Sequence, residues 1–302
     1  MSNNKNKRIR LIKKHLNEIA KLPFYDSKNG KPISLKNYFI CPLCLKTFNI
    51  DALGDNISDS LTLEDVPPKS LGGSPIVITC RDCNSSCGYK LDTFLLNEFR
   101  NEEERNDFNK TKRALLTFNN IGVNATIKAD DNVVDFDIRT GLNNPIKVKD
   151  FMYQLSNAGP KWSVRAEIKL IDFKRKPEVI EVAALKSAYL LAFRQLGYKY
   201  ILNTNLNCIR EQILNPGENI LGHSYVVGNE SMLPKGFPDG VFLATLNEIQ
   251  CVVVVFTLKY KTIVHRVAIA LPSPEDKDCK VYNKDLLDHN KSITILGPAA
   301  MN

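Results

Sequence analysis

The alternation of apolar and polar positions separates this chain into helical and extended stretches. Near its start, Ile9, Ile12, Leu16 and Ile19 recur at spacings of three and four, which predicts an amphipathic helix with one apolar stripe. Leu91, Phe94, Leu95 and Phe99 predict a second helix by the same rule. From Asn124 the period falls to two: Val134, Phe136 and Ile138 alternate with Asp135, Asp137 and Arg139, and Val164, Ala166, Ile168 and Leu170 alternate with Arg165, Glu167 and Lys169. Such alternation predicts half-buried antiparallel strands. A strong helix is predicted from Glu178 to Leu196, with Val182, Leu185, Tyr189, Phe193 and Leu196 on its stripe and Gly197 where a C-terminal cap belongs. Strand-like runs return at Cys251 to Phe256, His265 to Ala270 and Ser292 to Leu296. The expected class is α+β, the C-terminal part being a helix against an antiparallel sheet.

Composition agrees with a globular chain: of 302 residues, 43% are hydrophobic and 25% charged. The longest apolar runs, such as Val252 to Phe256, are strand-sized, and the start Met1-Ser2-Asn3-Asn4-Lys5 has no apolar signal region. A soluble, cytoplasmic protein without membrane contact is expected. No phosphate-binding glycine loop, Ser/His/Asp arrangement or repeat is present. Tyr198 and Tyr200 beside Lys199 have the spacing either of base-stacking rings or of one strand face.

The net charge of +8 is unevenly placed. Residues 1–36 hold ten basic side chains against two acids, Glu18 and Asp26, and the rest of the chain is balanced at 31 of each sign. The predicted first helix therefore carries a cationic face, with Lys5, Lys7, Arg8, Arg10, Lys13 and Lys14 as candidate phosphate contacts. A solvated helix face and an anionic membrane surface are the competing uses of such a pattern.

The densest chemistry lies between Cys41 and Asp92. Cys41-Pro42-Leu43-Cys44 and Cys80-Arg81-Asp82-Cys83 are two C-x-x-C knuckles separated by 35 residues. A lone C-x-x-C fits a redox pair or a buried thiol turn, but two within this distance suit four thiolates around one structural Zn²⁺. The intervening loop carries Glu64-Asp65-Val66-Pro67-Pro68 and the pair Gly72-Gly73, and Asn84 follows the last cysteine directly. Without the knuckles, Glu64 and Asp65 read as an ordinary strand-to-turn transition and Asn84 as a helix cap. Cys87 is a further nearby thiol, assigned to packing.

This order of knuckle, acidic doublet, proline pair, Gly-Gly turn, knuckle and Asn resembles the HNH (His-Me finger) endonucleases of the four-cysteine zinc type, over residues 37–100. The stretch from Ala184 to Phe193 is similar to one in bacterial and phage HNH-like proteins. The resemblance implies a zinc-stapled ββα-metal module with Cys41, Cys44, Cys80 and Cys83 on zinc. It also implies that Glu64 and Asn84 hold a catalytic Mg²⁺ or Mn²⁺. Asp65 stands where the family has its general-base histidine, and the chain's four histidines, His15, His223, His265 and His289, all lie outside the module. A carboxylate with an ordinary pKa of about 3.9 is a weaker base than imidazole by roughly two to three units, although it can orient a water.

Three consecutive segments follow: a basic helical arm over 1–36, the HNH-like zinc module with its trailing helix over 37–118, and an α+β domain of unassigned role over 119–302. The preferred reading is a metal-dependent endonuclease acting on nucleic acid, most readily DNA, with Glu64, Asp65 and Asn84 as catalytic residues. The alternative is a catalytically lapsed HNH-like zinc module that binds nucleic acid or docks a protein.

Overall fold

The computed structural model describes residues 2–25, 28–53, 57–106, 111–130, 133–158, 167–170, 175–222, 226–229, 233, 236–246, 248–274, 276 and 293–299. Val164, Ala166, His223, His289 and Ser292 lie outside that set. The architecture is mixed α and β, with small antiparallel sheets and helices, as the patterning predicts.

The chain opens with helix α1 (Ser2–Ile19), followed by the short pairs β1 (Phe24–Tyr25) with β2 (Pro32–Ile33) and β3 (Tyr38–Ile40) with β4 (Thr47–Asn49). Two single-turn helices, α2 (Ile50–Leu53) and α3 (Ile57–Ser60), lead into the hairpin β5 (Leu61–Val66) and β6 (Ser74–Cys80). Helix α4 (Arg81–Cys87) follows at once and runs through a π turn at Gly88–Asp92 into α5 (Thr93–Asn106). Next come β7 (Lys112–Phe118), β8 (Ile121–Asp130), β9 (Val133–Asp137), helix α6 (Pro145–Asn157) and β10 (Glu167–Leu170). The chain ends with α7 (Pro177–Ile201), α8 (Asn207–Leu214) and strands β11 (Val226–Asn229), β12 (Gly240–Leu246), β13 (Ile249–Tyr260), β14 (Ile263–Pro272) and β15 (Ile293–Pro298).

These elements form two compact units, residues 97–175 and residues 1–96 with 176–302. That division differs from three consecutive segments: the expected boundary after residue 118 falls in the turn of the β7–β8 hairpin. In the smaller unit the sheet order is β10-β7-β8-β9, and Ala114, Leu116, Val123 and Ala125 bury one face against Phe151 of α6. Val134, Phe136 and Ile168, on its edge strands, remain exposed rather than half-buried.

In the larger unit the five-stranded sheet β11-β14-β13-β12-β15 packs against α7. The predicted stripe of α7 is buried, but so are Ala183, Ala184, Lys186, Ser187, Ala188 and Ala192, so the helix is enclosed on nearly every side. Small side chains let neighbouring backbones approach it closely. At Gly197 the helix breaks (φ 72°, ψ −161°) and restarts rather than ends. A Cβ there would fall 1.6 Å from Glu18 Oε1, which accepts a hydrogen bond from Tyr198 N at 2.6 Å and so caps the second segment from α1.

That restart places Tyr198 and Tyr200 in a buried helix, where their hydroxyls donate to the carbonyls of Ile40 and Pro272. They are core residues, not base-stacking rings. Helix α1 docks through Ile12, His15 and Ile19, while Ile9, expected on the stripe, is 41% exposed. His15 takes its place in the packing, stacked 4.8 Å from the ring of Phe193 and edge-on to Phe39 and Tyr198.

Candidate metal centre and acidic site

The two knuckles meet. The Sγ atoms of Cys41, Cys44, Cys80 and Cys83 all lie within 4.8 Å of one another. Local backbone geometry explains the arrangement. Left-handed Leu45 (φ 57°) closes the first knuckle, with Leu45 N donating to Cys41 O at 2.9 Å. The second knuckle sits on the N-terminus of α4, where Cys80 is the N-cap and its sulfur accepts from Cys83 N at 3.5 Å. Cys80 N in turn donates to Cys41 Sγ at 3.4 Å.

Cys44 and Cys80 sulfurs are 3.8 Å apart, which matches the edge of a tetrahedron with metal–sulfur bonds of about 2.3 Å. Four thiols so close compete for protons: hydrogen bonding among them drives Cys44 down to the thiolate and Cys41 and Cys83 up. A bound Zn²⁺ stabilises all four thiolates together, and the residues present fit that ion. Cys87, although buried, stands outside the cluster, and its thiol is pushed up to about 12, chiefly by burial.

The site is braced from α7. Tyr189 donates from its hydroxyl to Pro42 O inside the first knuckle at 2.7 Å. Three residues earlier, Lys186 reaches the β5–β6 hairpin. Its Nζ lies 2.8 Å from Glu64 Oε1 and 2.8 Å from the carboxylate of Asp92 in the π turn. The side chains of Lys186 and Glu64 are 1% and 3% exposed. Burial alone would lower the lysine and raise the acid, but two carboxylates facing one ammonium push Lys186 upward and keep it charged. Glu64 is pushed up by desolvation against the pull of Lys186.

Glu64 and Asp65 diverge. Consecutive strand residues turn to opposite faces, and a bulge in the partner strand pairs Glu64 with Val77 but Asp65 with Pro75. Glu64 is sealed inside, whereas Asp65 is only partly buried, its carboxyl raised by desolvation while Lys69 and Lys7 pull it down. Asn84 lies within α4, since Cys80 holds the capping position. Its Nδ2 donates to Thr62 Oγ1 at 3.0 Å and to Leu63 O at 3.1 Å, tying the helix to β5.

Along α1, Arg10, Lys13 and Lys14 are exposed and Lys7 and Arg8 half-buried, with Lys14 Nζ reaching Arg194 O at 3.4 Å. Lys5 lies on the same helix, its side chain outside the described set. The residues that sequence reasoning missed are Lys186 and Asp92. A lysine inside the apolar run Ala183-Ala184-Leu185-Lys186-Ser187-Ala188 was the available signal.

Comparison with protein-family models, with curated proteins and with solved structures returns no match. Among the described residues, no helix is long and apolar enough to cross a membrane.

Proposed function

We propose that this chain is a zinc-stapled nucleic-acid-binding protein, built on an HNH-like frame whose acidic site is closed to hydrolysis. The observation that carries this reading is the ammonium of Lys186 against Glu64. A catalytic Mg²⁺ needs a carboxylate that water and phosphate can reach, because it keeps several waters and binds substrate oxygens directly. Glu64 offers neither access nor a free charge. It neutralises a buried lysine instead, and Asp65 turns to the opposite side of the strand.

The succession of hairpin and helix around four clustered cysteines supports the HNH-like frame. The exposed cations of α1 support nucleic acid as partner: a face bearing Arg10, Lys13 and Lys14 suits a phosphate backbone, where displaced counterions make affinity fall with salt. The resemblance to HNH endonucleases favours duplex DNA as the form bound. The test is fluorescence anisotropy of a labelled duplex across a salt series. Affinity that weakens linearly on log–log axes supports the reading, and no binding at low salt refutes it.

A second reading, metal-dependent hydrolysis through Glu64, Asp65 and Asn84 with Mg²⁺ or Mn²⁺, is favoured by one observation. Among the described residues, no hydrogen bond engages the carbonyl oxygen of the Asn84 side chain, which leaves it available to a cation. Metal-dependent nicking of plasmid that disappears in Glu64→Gln, while its melting curve matches wild type, would establish it.

A further inference from the structure

The larger unit contains a half-open cavity of about 720 Å³ that the reading above does not use. It lies where the β5–β6 hairpin, α7 and the five-stranded sheet meet, and its volume falls within the roughly 300–1,000 Å³ of small-molecule sites. Val66, Ile76, Leu191, Val241, Val254 and Phe256 supply an apolar lining. The hairpin turn bounds one side, where Gly72 (φ 88°) lies against the side chain of Lys259 so closely that an added Cβ would sit 3.4 Å from its Cβ.

The charges around this cavity are unequal. Asp239 is already engaged, accepting from Arg266 Nε at 3.3 Å and from its terminal nitrogen at 3.2 Å. The amide nitrogen of Gln195 is likewise spent on the carbonyls of Val241 and Ala299. Arg194 and Lys259 also line the cavity, and among the described residues neither side chain has an ion-pair partner. An apolar lining bordered by two exposed cations that form no ion pair among the described residues suits a molecule of complementary form.

We propose that this cavity binds a small amphiphilic anion, its apolar body seated on the valine, isoleucine, leucine and phenylalanine lining and its acidic headgroup held by Arg194 and Lys259. Carboxylate, sulfonate and phosphate heads share this chemistry, because a guanidinium offers paired donors and an ammonium a mobile point charge. The site stands on residues separate from Glu64, Asp65, Asn84 and the cysteines, so it holds whether or not the chain binds nucleic acid.

Two fluorescent probes with the same kind of aromatic body separate the contributions: 1-anilinonaphthalene-8-sulfonate, which carries an anionic head, and N-phenyl-1-naphthylamine, which does not. Titrated into the zinc-loaded full chain, the sulfonate is expected to saturate at about one site per chain, as a cavity of this size implies, and about tenfold more tightly than the amine, roughly the effect of one charged hydrogen bond. Arg194→Gln with Lys259→Gln should erase the preference and leave amine binding unchanged. Leu191→Trp, at a partly exposed position able to fill the cavity, should abolish both, with Ser74→Trp as a second filling variant. Dodecanoate should displace the sulfonate at about tenfold lower concentration than dodecanol does. Equal affinities for the two probes, or sulfonate binding undiminished in both filling variants while their melting curves match wild type, would overturn the proposal.

Discussion

Lys186 Nζ and Glu64 Oε1 are 2.8 Å apart although 122 positions separate them in the chain, and water is nearly excluded from both. A charge removed from water is tolerated when paired, and costly when its partner is deleted. Lys186→Met leaves buried Glu64 and half-buried Asp92 without their cation and is expected to lower stability by about 3–5 kcal/mol. Adding Glu64→Gln to that variant should restore much of the loss. Urea unfolding checks both, and a single-variant loss under about 1 kcal/mol would contradict a stabilising buried ion pair.

Zinc should be stoichiometric. Elemental analysis of the purified protein is expected to find about one zinc per chain, since four thiolates complete one tetrahedral shell. Cys80→Ser removes a ligand and the N-cap of α4 together, so its melting temperature should fall sharply, and a chelator should reproduce that fall in wild type. A chelated protein that melts like wild type would contradict the assignment.

Stability should fall in acid through His15. His15 sits among Phe39, Phe193 and Tyr198, with Lys14 and Glu18 as its charged neighbours and Glu18 Oε2 3.7 Å away, and burial lowers its pKa. Folding therefore favours the neutral ring. As pH falls below about 6.5 the unfolded chain takes up a proton that the folded chain refuses, and stability drops by at most about 1.4 kcal/mol per pH unit. Above that pH the residue contributes no slope. Stability curves at several pH values should show this loss in wild type and not in His15→Phe; equal slopes would refute it.

The cationic face of α1 can be tested without disturbing its core. Arg10 and Lys13 are exposed, whereas Ile12 between them is buried, so Arg10→Gln with Lys13→Gln should leave the melting temperature unchanged. Anisotropy titrations should show weaker duplex binding, with the slope of log affinity against log salt shallower by about 2, close to 0.9 for each phosphate that is no longer neutralised. An unaltered slope would mean that this face does not touch phosphate.

What the sequence disclosed and what it hid follow from the range of the forces involved. The four cysteines were legible because C-x-x-C spacing is a local requirement of one ion, and the stripe of α7 because helical period is local too. Lys186 was not, since its meaning depends on Glu64 and Asp92, brought near only by the tertiary fold. Gly197 was recognisable as a break, but the phase that resumes at Tyr198 depends on Glu18 supplying a cap from 180 positions away. The span of residues 97–175 as a separate unit was hidden as well, because no change of composition marks where the chain rejoins the larger one. The alternation of Glu64 and Asp65 was foreseeable from strand geometry, and it is what divides the acidic doublet.

The most direct test of the closed acidic site is one agarose gel of supercoiled plasmid incubated with the zinc-loaded protein and Mn²⁺ at low salt, each sample loaded with and without detergent. The expected result is retarded plasmid in the native lanes and intact supercoiled plasmid once detergent strips the protein. Nicked circles that form in wild type and vanish in Glu64→Gln, with a melting curve that matches wild type, would contradict it.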